Sequence, residues 1–315
     1  MVNVDGSPAQ SMKNSLNLAQ HAESWGYKRY WLAEHHNIKG IASTATSILI
    51  GFIAAGTSSI RVGSGGVMLP NHSPLVIAEQ FGTLESLYPS RIDLGLGRAP
   101  GTDRMTAMAL RRKLNGVEDD FPNNLNELIN YFNSSSSDDK VRATPGEGLD
   151  IPIWLLGSSM FSAHLAAALG LPYAFASHFA PAYLDAAVKL YREKFQPSKR
   201  LREPYVMAVV NGAVANTNKE AKYLFTSIQL RALSMIRGNQ TPLFPPINDI
   251  NKVCSKLEKY ALDQRLKYSF VGDPTTVKKD IEIFLNQIQI NEIMVISHIY
   301  DHAARLRSYE ILSSL

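Results

Sequence analysis

Several clusters along the chain hold residue types that a hydrophobic core does not need. Glu34-His35-His36 sets two imidazoles beside a carboxylate. A neutral imidazole takes or gives a proton near pH 7 with little tuning. On extended backbone, neighbouring side chains point to opposite sides, so one of His35 and His36 can serve a reaction while the other supports the loop. Gly65-Gly66 removes two Cβ atoms where a flat ring could approach the backbone; a simple β-bulge is the plainer alternative. Gly95-Leu96-Gly97-Arg98-Ala99-Pro100-Gly101 presents Arg98 as a fixed cation suited to a phosphate, or else to a surface ion pair. It is not a dinucleotide fingerprint, because Pro100 stands where the last glycine belongs and no helix begins at once.

Gly157-Ser158-Ser159-Met160-Phe161-Ser162 joins an expected strand to an expected helix. Free N–H groups, the helix dipole and the hydroxyls of Ser159 and Ser162 together suit an anion, and plain capping by serine suits the same pattern. Ser177-His178 and Ser297-His298 end two later strands, where they either line a substrate pocket or serve structure. His72, after Leu69-Pro70-Asn71, is placed near the same mouth; His21, His164 and His302 fall on helices and read as structural. Adjacent histidines cannot chelate as an i, i+4 pair does, and H-E-x-x-H is absent, so no metal site is expected.

These clusters need elements to position them. Strand-like runs at 27–33, 60–68, 91–95, 153–156, 173–176, 205–215 and 292–297 alternate with helical stretches at 11–25, 43–56, 74–87, 103–114, 124–132, 159–169, 181–195, 219–237, 274–287 and 303–312. Such alternation implies parallel pairing and crossover connections. Clusters at the C-terminal ends of successive parallel strands are where α/β folds place active sites. The proline-bearing stretch 239–251 reads as a long irregular loop of the kind that often serves as a lid, and Ser134–Asp139 as a surface loop.

The chain has 315 residues, room for one (β/α)8 barrel read as a single domain over 1–315. Apolar residues make up 45% and charged residues 19%, enough for a large core. The net charge of +4 is scattered. Its densest groups, Arg111-Arg112-Lys113 and Lys199-Arg200-Leu201-Arg202, carry no interleaved aromatics, which argues against nucleic acid. The single cysteine, Cys254, cannot form an internal disulfide and reads as inert, in keeping with a reducing cytoplasm. The first residues lack a signal-peptide pattern, and the apolar stretch 41–56 carries four hydroxyl residues and is short for a bilayer.

The three clusters AEHHN, GSGGVMLPNHSPL and RIDLGLGRAPGTD resemble the luciferase-like flavin-dependent monooxygenase family, in its single-component branch. The resemblance continues through 151–181, 204–221 and 295–312, nearly the whole chain. It implies a (β/α)8 barrel of the bacterial-luciferase type and oxygen activation by reduced FMN on a small organic substrate. His35 matches the family's catalytic histidine, with His36 beside it. Gly65-Gly66 matches a bond that is cis in relatives, under the flavin ring. Arg98, Ser159 and Ser162 match its phosphate-binding residues. Helices 43–56 and 74–87, rich in small and apolar residues, match a homodimer interface. A separate flavin reductase is implied, since no pyridine-nucleotide fingerprint is found.

Family members open with a strand just ahead of Met1. Here the expectation is a stub at Val2–Val4, an open barrel, or a sequence that lacks its true N-terminus; an absent strand would leave the edges of its neighbours unpaired. Two other functions share the fold: a deazaflavin-dependent dehydrogenase and a non-catalytic, vestigial flavin-binding protein.

Overall fold

The computed structural model describes residues 1–110, 120–134 and 140–315. Arg111-Arg112-Lys113, the end of the helix expected over 103–114 and most of the serine-rich run lie outside the described residues. The strands are β1 (Arg29–Leu32), β2 (Arg61–Ser64), β3 (Val67–Met68), β4 (Ile92–Gly97), β5 (Ile153–Gly157), β6 (Tyr173–Phe175), β7 (Val206–Val214), β8 (Ser269–Gly272) and β9 (Glu292–Ile296). The helices are α1 (Pro8–Ser24), α2 (Thr46–Ala55), α3 (Pro74–Leu87), α4 (Arg104–Leu110), α5 (Phe121–Tyr131), α6 (Met160–Ala168), α7 (Leu184–Lys194), α8 (Asn218–Ile236), α9 (Lys256–Arg265), α10 (Pro274–Gln287) and α11 (His302–Ser313). They divide between two compact units, one of Tyr27–Asn37 with Ser43–Leu156, the other of Met1–Gly26, Ile38–Ala42 and Gly157–Leu315.

In the first unit every strand pair is parallel: β1 with β2, β2 with β4, β3 with β4 and β4 with β5. All six residues of β4 are buried, as a strand flanked on both edges and covered on both faces requires. Asp93 on β4 is fully buried and accepts from Arg29 Nη1 at 2.5 Å, Arg61 Nε at 2.9 Å and Trp31 Nε1 at 3.0 Å. One carboxylate thus ties together β1, β2 and β4. Arg91 closes the end of α2, donating to the Ala54 and Thr57 carbonyls at 3.3 and 3.0 Å, where a cation meets the negative end of the dipole.

In the second unit β7 is the long central strand, buried throughout. It pairs in parallel with β6 through Val206–Ala208, with β9 through Met207–Asn211 and with β8 through Asn211–Val214. The seven runs read as strands are all present, one of them split into β2 and β3. The sequence reading missed β8 and α9. The start of α9 is nevertheless written in Ser255 and Glu258, which form a reciprocal capping box. The helix expected from Ser11 begins at Pro8, where Ser7 caps it by accepting from the Gln10 amide and the proline occupies the first turn.

Val2–Val4 forms no strand of the sheet; Asn3 makes an isolated bridge instead. Its partner is the long irregular loop: Asn3 bridges Leu243, the Val4 amide donates to the Leu243 carbonyl at 2.9 Å, and the Leu243 amide returns to Val2 at 2.9 Å. The Val2 amide donates to Gly40 at 2.8 Å. Among the described residues, β1 carries a ladder only to β2 and β9 only to β7.

Candidate functional site

The loop after β1 is anchored before its side chains are considered. The Gly65 amide donates to the Leu32 carbonyl at 2.8 Å, the Glu34 amide to Gly66 at 3.3 Å and the His35 amide to Ser43 at 3.0 Å, while the Ser43 hydroxyl donates to Ala33. Asn37 takes the left-handed conformation, φ 53°, which asparagine tolerates better than most residues. Thr102 secures the far side by donating to the His36 carbonyl at 2.9 Å.

Within this frame the side chain of Glu34, 1% exposed, is a hub. Oε1 lies 2.8 Å from His36 Nε2, 2.9 Å from His72 Nε2 and 3.3 Å from Asn71 Nδ2. Oε2 lies 3.0 Å from His72 Nε2 and 3.1 Å from the Met68 amide. Burial alone would raise the carboxyl's pKa. The bond and charge of His72, the bond from His36 and the Met68 amide outweigh it and hold the group below its ordinary 4.5. Asn71 also donates to the Pro100 carbonyl at 2.9 Å, so the segments after β1, β3 and β4 converge on one carboxylate.

His36, rather than His35, is thus the imidazole that Glu34 holds. In the sequence Glu34 stands beside the two imidazoles with no role of its own, and His72 falls only near the mouth. A buried acid next to a histidine pair was the available signal; its second histidine lies 38 residues away, beyond the reach of local pattern. Glu34, His36 and His72 each offer a ligand atom, all within 4.8 Å of one another, a donor set that a divalent transition metal could use. The Met68 and Asn71 amides also donate to this carboxylate, which suits a hydrogen-bonded cluster as well.

The Gly65–Gly66 peptide is cis. A Cβ on Gly66 would lie 2.7 Å from the Gly95 carbonyl oxygen, and one on Gly65 would lie 3.2 Å from Trp31 Cβ. The protein's own β4 therefore already excludes a side chain at position 66, while Trp31 only crowds one at position 65. Arg98 follows β4 and is exposed.

In the second unit, Ser159 is the N-cap of α6, but its side chain makes no capping hydrogen bond. Ser162 is buried. Its hydroxyl donates to the Ser159 carbonyl at 2.9 Å and lies 3.1 Å from the Tyr173 hydroxyl, so its proton is committed within the protein. Ser177 is also committed, fully buried and donating to the Val209 carbonyl at 2.6 Å. His178 packs edge-on against Phe179, and its carbonyl accepts from Asn211 at 2.8 Å. The Ser297 hydroxyl is buried and has no hydrogen-bond partner among the described residues. His298 is held well below its usual pKa, first by burial and then by positive neighbours that include His178, Arg305 and Arg231. Of the helix histidines, His302 bonds Asn17 at 2.9 Å and is lowered to about 4, chiefly by burial; His21 stacks on Trp25; His164 is exposed.

The sequence profile described as luciferase-like monooxygenase matches residues 2–282. An uncharacterized Bacillus subtilis protein, YvbT, is 57% identical over 98% of this chain and 92% of its own length. A luciferase-like monooxygenase of Escherichia coli K12 is 53% identical over the same shares. Among solved structures, apo-MsnO8 superposes with a TM-score of 0.88 at 35% identity, covering 99% of this chain and 95% of the other. Two more distant structures share the fold. The oxygenating constituent of 3,6-diketocamphane monooxygenase from a Pseudomonas putida plasmid, in complex with FMN, has a TM-score of 0.72 at 18% identity over 98% and 93%. An F420-dependent secondary alcohol dehydrogenase has 0.69 at 15% identity over 95% and 93%.

Proposed function

Because this chain belongs to the luciferase-like monooxygenase family, with its (β/α)8 barrel fold, we propose that it is a flavin-dependent monooxygenase that uses reduced FMN and O2 to oxygenate a small organic substrate. The observation that carries the reading is the family match over residues 2–282. One structure of the same fold holds FMN, the flavin proposed here, and another depends on F420.

Bound reduced FMN would supply the electrons that activate oxygen. The chain's own residues bind, orient and move protons. Gly65 and Gly66 would give the ring a backbone surface free of side chains. The first-turn N–H groups of α6, which the Ser159 side chain leaves uncapped, suit the phosphate, with the Ser159 hydroxyl as a further donor; Arg98 is a cation suited to the same group. Ser162, its proton already donated to Ser159, would buttress that turn. His35 and His36 would transfer protons to and from the reacting groups. Reduced flavin would come from a separate reductase in the cytoplasm. Two copies would pair through 43–56 and 74–87, where Ile48 and Leu87 are 72% and 63% exposed and apolar exposure favours an interface.

The test is anaerobic titration with reduced FMN, followed by mixing with oxygenated buffer under stopped-flow absorbance. Saturable binding and a transient absorbing species before oxidised flavin are expected, with the transient shortened in His35→Ala. Tight binding with immediate reoxidation, or hydride transfer from an alcohol to F420 without oxygen uptake, would replace the monooxygenase with the dehydrogenase.

A further inference from the structure

We infer that Glu34 is a positioning residue whose carboxylate fixes His36 and His72 in the Nε2–H form, so that the nitrogen of His36 able to take a proton is Nδ1. The argument is one of hydrogen-bond inventory. An ionised carboxylate only accepts, so each nitrogen that faces it must carry a proton. Both imidazoles face it through Nε2, at 2.8 Å for His36 and at 2.9 and 3.0 Å for His72. The remaining neighbours are unambiguous donors. The Met68 amide can only donate. Asn71 Nδ2 sits between Glu34 Oε1 and the Pro100 carbonyl, two acceptors, which sets the orientation of its amide.

With the carboxylate 1% exposed, its partners are these protein groups. A neutral imidazole that carries its proton on Nε2 accepts on Nδ1. The bond that supports the ring thereby selects the atom that reacts, as a carboxylate behind a catalytic imidazole does in other enzymes. His72, on the segment after β3, shares the carboxylate and completes the clamp. The part of this inference that makes His36 a proton carrier rests on the proposed function; the tautomer assignment does not.

The test is long-range 1H–15N spectroscopy of the full chain labelled in its eight histidines, with the two signals identified by His36→Gln and His72→Gln. Both imidazoles are expected as Nε2–H at neutral pH. In Glu34→Gln the new amide nitrogen donates, so at least one imidazole should leave that form; in Glu34→Asp both should return toward it. An Nδ1–H form of either histidine in the parent protein, or an unchanged spectrum in Glu34→Gln, overturns the inference. So does a shift of either signal on treatment with a chelator, which would mean that an ion holds the rings. Should Glu34→Gln unfold, the parent spectrum still decides, and His72→Gln should leave His36 as Nε2–H.

In turnover, Glu34→Gln should lower kcat by about 10- to 100-fold with little change in flavin affinity. Unchanged kcat with altered tautomers would overturn the positioning role alone. A parent protein that neither binds flavin nor turns over would overturn the proposed function and leave the tautomers standing.

Discussion

Glu34 and His72 meet through both carboxylate oxygens, at 2.9 and 3.0 Å, although 38 residues separate them. That contact joins the loop after β1 to the segment after β3 and holds the carboxyl's pKa down against its burial. It has a pH signature. A carboxyl whose folded value lies below its unfolded value stabilises the fold above the unfolded value, near 4.5, and that stability is lost as pH falls through the lowered folded value. Urea midpoints should therefore drop more steeply with acid below pH 4.5 in the parent than in Glu34→Gln. At neutral pH, Glu34→Ala should lose about 2–4 kcal/mol, because it leaves buried donors without acceptors.

Asp93 is another buried carboxylate with several donors, and it sits near the N-terminal ends of β1, β2 and β4 rather than at their C-terminal ends. Arg29, Arg61 and Trp31 all donate to it. Removing one member of a buried ion network strands the others. Asp93→Ala should cost about 3–5 kcal/mol by chemical denaturation, whereas Lys189→Ala, at an exposed helix pair, should leave the urea midpoint nearly unchanged.

The two glycines of the 65–66 pair differ in what surrounds them. A methyl on Gly66 runs into the Gly95 backbone, which cannot move aside cheaply, whereas one on Gly65 meets the side chain of Trp31. Gly66→Ala should destabilise by about 1–3 kcal/mol and Gly65→Ala by less, measured as a shift in urea midpoint. An equal effect at both positions would argue that the protein's own crowding is not what selects glycine there.

Ser159 and Ser162 separate binding from structure. Ser159→Ala removes a hydroxyl that does not cap α6, so it should weaken reduced FMN binding roughly 3- to 10-fold and leave stability unchanged. Ser162→Ala takes away a buried partner of the Tyr173 hydroxyl and should lower stability by about 1 kcal/mol with a smaller effect on affinity. Anaerobic fluorescence titration and thermal unfolding of both variants would show the split or its absence.

The proposed dimer is open to a direct test. Ile48 and Phe52 on α2 and Val76 and Leu87 on α3 are exposed. Ile48→Glu should move the sedimentation coefficient from dimer toward monomer while the far-ultraviolet circular dichroism stays unchanged. A parent protein that sediments as a monomer would remove this interface.

The alternation of strands and helices was legible from residue pattern, because burial of β4 and β7 on both faces leaves mostly apolar runs, interrupted by Asp93 and Asn211, and because Pro74, Gly26 and Pro89 punctuate the chain. The clusters at strand ends were legible for the same reason: glycine, histidine and arginine interrupt those runs. β8 is no shorter than β1 or β2, but its Ser269-Phe270-Val271-Gly272 sets only two apolar residues between a serine and a glycine, which is too little apolar signal to stand out.

What no local pattern held was the partner of each polar group. Whether a serine hydroxyl bonds within its own first turn, as that of Ser162 does while that of Ser159 makes no capping bond, is decided by the packing around α6. Whether Val2–Val4 pairs with a strand or with the loop at Leu243 is decided by which backbone edge lies within reach. And the acid, the two histidines and the amide of Glu34, His36, His72 and Asn71 become one network only because parallel strands deliver their C-terminal ends to the same place. Residue identity determined which groups could ionise, donate or bend. Chain folding determined which of them would share a proton, because hydrogen bonds act over about 3 Å, while the residues that make them stand tens of positions apart.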